Sequence, residues 1–126
     1  MAIVSTHILN SLEGIHAAGV AIDLYRIEAS GERVKLVTTT TDEGGRMSTA
    51  VQLTHAQCQG QYELVVQSGA YFCARPAAPF AQSAMQEVVI RFAMPAAEAK
   101  YHMPLMLAPH SYSVWCSNLA ASERDN

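Results

Sequence analysis

The sequence predicts an all-β protein, an antiparallel sandwich with one short helical excursion, from three observations. Apolar and polar residues alternate in short segments, as half-buried strands require. β-Branched residues accumulate in those same segments. Gly, Pro, Asp and Ser fall between them at the short intervals typical of sandwiches.

The elements follow in chain order. Residues 4–10, "VSTHILN", extend a face begun by Ile3 through Ser5 and His7, and set Val4, Thr6 and Ile8 on the other. In "VAIDLYRI", residues 20–27, Val20, Ile22 and Leu24 oppose Ala21, Asp23 and Tyr25. "VKLVTTT" (34–40), "QYELVV" (61–66) and "EVVIRFAM" (87–94) repeat the strand pattern, and "KYHMPLML" (100–107) and "SYSVWCS" (111–117) complete it. Turn chemistry punctuates these segments at "SLEG", "ASGE", "DEGG" and "MPAA". The stretch "QSGAYFCARPAAPFA" resists the alternation; its aromatic-Ala run after Gly69 reads as one helical excursion that Pro76 ends.

A chain of 126 residues fits one domain, since single cores are built from roughly 100 to 200 residues. With 50% hydrophobic and only 15% charged residues, there is ample material for a core and little charge to cover a monomer, which suggests an oligomer. The net charge of -3, without any basic run, argues against nucleic acid as a partner. No apolar run reaches the roughly 18 to 20 residues that span a bilayer, and "MAIVSTHILNSL" lacks a signal-peptide pattern, so no membrane partner is expected and the expected location is cytoplasmic. Cys58, Cys73 and Cys116 are odd in number and without CxxC spacing, which predicts free thiols and neither disulfide nor zinc site.

Five histidines are present, His7, His16, His55, His102 and His110, and none forms HxH or HExxH, so no metal site is expected. GxSxG, P-loop and GxGxxG patterns are also missing, which removes the commonest hydrolase and nucleotide signatures. Three polar residues remain that sandwich strands do not require. His7 projects from the more polar side of its strand, Arg46 follows two glycines in "TDEGGRMS", and His102 lies opposite Tyr101, Met103 and Leu105. Each alone is an ordinary surface residue, and sequence alone does not bring them together.

Ordered motifs along about 110 residues resemble one family. "STHILN", "AAGVAIDLYRI", "TTDEGGR", "GQYELVV" with "GAYF", "FAQSAMQEVVIRFAM" and above all "YHMPLMLAPHSYS" are similar to successive motifs of the transthyretin-related proteins, within them the 5-hydroxyisourate hydrolases of urate breakdown. The resemblance implies a transthyretin-like two-sheet sandwich over residues 1–118, followed by a polar tail at 119–126, and assembly as a homotetramer, a dimer of dimers around a central channel. It implies a small-molecule substrate, and a catalytic cleft at the dimer-dimer interface built from His7, Arg46 and His102. It also sets Ser113, Trp115 and Cys116 beside the substrate. Such a cleft suits water attack on a cyclic amide or ureide: one imidazole exchanges protons with water and the leaving nitrogen, the other orients the water, and the guanidinium faces the oxyanion. No cofactor is needed for these roles.

The sequence departs from the family at its end, where the hydrolases carry Tyr-Arg-Gly-Ser and this chain reads Val114-Trp115-Cys116-Ser117-Asn118 and continues to Asn126. A thiol offers no planar donor fork, so a second cation is lost. Asn10 stands where an aspartate is usual, and His16 where a proline is common. Three readings stay open: a 5-hydroxyisourate hydrolase; a repurposed relative catalysing ring hydrolysis, cyclisation or isomerisation of a less anionic substrate; and a non-catalytic carrier using the central channel.

Overall fold

The computed structural model describes residues 1–76 and 83–117. The expected sandwich is present. Its first sheet is built around β1 (Ala2–Asn10) and includes β2 (Ile15–His16), β5 (Arg46–Val51), β8 (Lys100–His102), β9 (Leu105–Leu107) and β10 (Tyr112–Val114). The second sheet runs in the order β4 (Arg33–Thr40), β3 (Ala21–Ile27), β6 (Gln61–Val66), β7 (Val88–Ala93). The predicted helix is α1 (Ser68–Cys73), ending ahead of Pro76. The expected tail at 119–126 lies outside the described residues.

Alternation in the sequence translates directly into layers. On β1, Val4, Thr6 and Ile8 are buried while Ser5 and His7 are half-buried on the outer face. Ile22 and Leu24 of β3 and Tyr62, Leu64 and Val66 of β6 meet them from the second sheet. Strand β6 is buried on its outer side too, where Glu63 lies only 6% exposed. Arg91 and Arg33 donate to its two carboxylate oxygens at 2.8 and 2.9 Å, and these bonds hold the carboxyl below its ordinary range.

Two features were not read from the sequence. Residues 46–51 form β5, so Arg46 is the first residue of a strand as well as the end of a turn. The first sheet also mixes parallel with antiparallel pairing: β1 pairs antiparallel with β5 and β2 but parallel with β8 and β9. Strands β8 and β9 continue one register along β1, interrupted at Met103-Pro104, where the proline has no N–H to give the ladder. The break is tied down by Met103 N–H donating to Ser5 O at 2.9 Å and by the Thr6 hydroxyl donating to Met103 O at 2.6 Å.

The "DEGG" turn is fixed by Asp42, whose Oδ1 accepts from the N–H groups of Gly44 and Arg46, both at 2.9 Å. Gly45 sits at φ +76°, and its carbonyl accepts from Ile8 N–H at 2.7 Å. A Cβ added there would lie 2.4 Å from Ile8 O. Left-handed backbone at a non-glycine residue costs about 1 to 3 kcal/mol, before any clash with backbone. Gly45→Ala is therefore expected to destabilise the fold by more than that range's lower end and to displace Arg46, measured by denaturant unfolding together with the NMR shifts of β1 and β5.

Candidate active site

Register places the three sequence-predicted residues on one face. His7 is the Cα partner of Arg46 across β1 and β5, and Ser5 is the partner of His102 across β1 and β8. Because successive residues point to opposite faces, Ser5, His7, Arg46 and His102 all project outward from the sheet. Arg46 and His102 border one open cleft of about 200 Å³, together with Ser5, Asp42 and Ser48. His102 is held there by its Nδ1, 2.8 Å from the Ser5 hydroxyl. Serine 5 was not singled out from the sequence, although its alternation with His7 placed it on the same face.

His7 stands in a positive environment. Burial pushes its pKa below 6.5, and the nearby Arg46, His16 and His102 push in the same direction, against a hydrogen bond to the Gly44 backbone that favours the charged ring. The ring is therefore a neutral base at pH 7, available to take a proton.

His16 was known from the sequence only as an unusual residue in its motif. The structure sets its Nδ1 3.1 Å from His7 Nε2. Ring centroids lie 5.2 Å apart with planes 25° from parallel. That centroid distance is close to the N···N separation plus one ring radius at each end, so the imidazoles meet edge to edge along the hydrogen bond. The signal that could have found it was "SLEG": a tight turn there folds His16 back beside Leu9, as the β1–β2 register shows.

Asn10 belongs elsewhere. It is 1% exposed on the core side of β1, where Oδ1 accepts from the N–H groups of Leu12 and Glu13 and Nδ2 donates to Glu13 and Tyr71. An aspartate at this position would face away from His7, so its replacement bears on the turn and not on the charge of His7.

The replaced C-terminal motif reaches the site in part. Cys116 and Ser117 line a smaller cleft of about 100 Å³ with His102 and Phe92. Cys116 is an exposed residue, and the partial desolvation of its sulfur raises the thiol pKa, which keeps it protonated and a poor nucleophile near neutrality. Ser113, in register with Met106, and Trp115, 61% exposed, line neither of the clefts bordered by His102. Among the described residues, no three His, Cys, Asp or Glu side chains gather as metal ligands.

Residues 4–116 match the HIUase/Transthyretin family. The chain belongs to that family. It is 36% identical over 112 residues to the 5-hydroxyisourate hydrolase of Pseudomonas aeruginosa, a match covering 88% of this chain and 87% of that one. Among solved structures it is similar to the 5-hydroxyisourate hydrolase of Klebsiella pneumoniae, with 30% identity, a TM-score of 0.70 and coverage of 94% of this chain and all of the other. It is also similar to transthyretin from Sparus aurata, at 25% identity and a TM-score of 0.73 over 90% of this chain and 95% of that one. The family read from the motifs and its two-sheet fold are thus borne out. No helix among the described residues is long and apolar enough to cross a membrane.

The position of His7 has a direct consequence in solution. Its ring is expected to titrate with a midpoint below pH 6.5, measured from the C2–H shift by NMR, with His7→Gln supplying the assignment. Because the folded ring resists protonation more than the unfolded one, its contribution to stability is complete above that range. It is lost as pH falls below about 6.5, the unfolded value.

Proposed function

We propose that the chain is a cofactor-independent hydrolase of the 5-hydroxyisourate type, with His7, Arg46 and His102 as its catalytic residues. The observation that carries this reading is their convergence on one outward face, in a chain 36% identical to a named 5-hydroxyisourate hydrolase. His7, neutral at pH 7, takes a proton from water as the water oxygen bonds to a ring carbonyl carbon. The resulting oxyanion is stabilised by Arg46, a permanent cation with a planar donor fork. The C–N bond then breaks as the proton returns to the leaving nitrogen. His102, fixed by Ser5, orients the attacking water.

Several features support the assembly and setting that go with this chemistry. The site lies on an outer sheet face, and the β9–β10 margin leaves Met106, Tyr112 and Val114 exposed at 49%, 47% and 39%. Covering these surfaces as a dimer of dimers would enclose the cleft and exclude water from it. We place the reaction in the cytoplasm and in purine breakdown.

A second reading is favoured by Cys116. It stands beside His102 where the hydrolases carry their terminal basic motif, and it supplies no cation. A charge-assisted bond to an anion is worth roughly 1.5 to 3 kcal/mol, so a less anionic substrate, opened, closed or isomerised by the same histidine-arginine cleft, fits this remodelled lid.

The test is addition of freshly generated 5-hydroxyisourate with its ultraviolet decay followed. The first reading requires a rate well above the spontaneous one; decay at the spontaneous rate rejects it in favour of the second. In an active protein, His102→Asn and Arg46→Lys are each expected to lower kcat/KM by about 10²-fold or more. Cys116→Ser is expected to leave turnover within about twofold, as a protonated thiol outside the bond-making steps should; abolished turnover would instead make the sulfur a nucleophile.

A further inference from the structure

The hydrogen bond between His7 and His16 lies at the surface, and its second ring faces solvent. His7 is half-buried on β1, whereas His16 is exposed on β2. Gly45 lies beside His16: a Cβ there would come within 3.4 Å of His16 Cβ. The turn that presents Arg46 therefore also sets the ring of His16 against His7.

We propose that His16 is the proton-exchange partner of His7, passing to solvent the proton that His7 takes up at the reaction centre through the 3.1 Å Nε2–Nδ1 contact. The proposal rests on the catalytic role given to His7 above. In the neutral pair two ring protons occupy four nitrogens. One lies in the contact and one on an outer nitrogen, leaving the other outer nitrogen bare. When His7 Nδ1 is the bare atom, it takes the proton released by water, and the hydrogen bond to the Gly44 backbone favours the ring that carries this extra proton. The proton on His7 Nε2 then moves to His16 Nδ1, and His16 releases its own Nε2 proton to solvent. Return of a proton to the leaving nitrogen runs the same steps in reverse, so no proton is gained or lost over a turnover.

Energetics favour this direction of charge movement. A cation on His7 is opposed by desolvation and by Arg46 and His102, whereas a cation on exposed His16 is hydrated. The charged groups around the pair are few. Arg46 comes from β5 and His102 from β8. Asp42 on the turn is engaged with the backbone of Gly44 and Arg46, and Glu43 belongs to the same turn. Glu13, in the turn before β2, is held by Arg75 at 2.8 Å. A doubly charged His7–His16 unit is disfavoured by like-charge repulsion, so the pair takes up no more than a single proton beyond neutrality during the reaction.

Two variants separate the relay from simple positioning. Asparagine places a hydrogen-bonding atom near the position of imidazole Nδ1 but does not carry a proton, and alanine removes both functions. With 5-hydroxyisourate as substrate, both His16→Asn and His16→Ala are expected to lose roughly 10-fold in kcat, part of the 10² to 10⁴ typical of proton-transfer catalysis. His16→Ala should be rescued by added imidazole in a concentration-dependent way. Retention of wild-type kcat by His16→Asn alone would reduce His16 to a positioning residue and overturn the relay. A substrate-independent arm uses long-range ¹H–¹⁵N NMR of the imidazoles. His16→Ala should move the His7 midpoint upward by removing a repelling charge. A His7 midpoint unchanged in His16→Ala would overturn the proposal whatever the activity. An upward His7 shift in His16→Ala, in a protein that leaves 5-hydroxyisourate untouched, would instead retain the pair and reject the substrate assignment.

Discussion

Strand β1 is hydrogen-bonded along both edges, antiparallel to β5 on one side and parallel to β8 on the other, and this double ladder determines where each chemical group of the site stands. Side chains on a strand alternate with a period of two, so a slip of one residue would bury His7 and expose Val4 and Ile8. The cost of exposing those core residues, which are fully buried here, fixes the register. The same apolar contacts that hold the sandwich together thereby hold His7 opposite Arg46 and Ser5 opposite His102.

Around that axis, the local devices each constrain one group. Asp42 folds the turn so that Arg46 emerges at the head of β5. Gly45 permits Ile8 to donate to the turn's carbonyl at a distance no side chain would allow. Pro104 interrupts the parallel ladder just beyond His102, and Ser5 fixes the ring that ends the first segment. The result is a locally cationic and imidazole-rich face on a chain whose net charge is -3. An anionic ring or a developing oxyanion is favoured there, while protonation of the half-buried His7 is opposed.

Much of this was legible in the residues because it rests on local chemistry. Alternation in "STHIL" already placed His7 on the polar side, "DEGG" already required a turn before Arg46, and "YHMPL" already opposed His102 to buried neighbours. The helix at Ser68–Cys73 followed from its aromatic-Ala run and the proline beyond it. Strand β5 was hidden because "RMSTAV" mixes small polar residues with few apolar ones, its Met47 and Val51 being the buried pair. The function of Asn10 was also hidden, since a backbone-capping amide and a residue facing the cleft look alike until the strand face is known.

The sequence by itself determined the strand segments, their inward faces and the presence of an arginine and two histidines on polar positions, because periodicity and turn chemistry act over a few neighbouring residues. Only the tertiary structure decided that β8 runs parallel to β1, that Cys116 lies beside His102 while Trp115 points to solvent, and that His16 meets His7 edge to edge. Those pairings depend on which strands share an edge, a choice made by the packing of the whole core and not by any residue's immediate sequence neighbours.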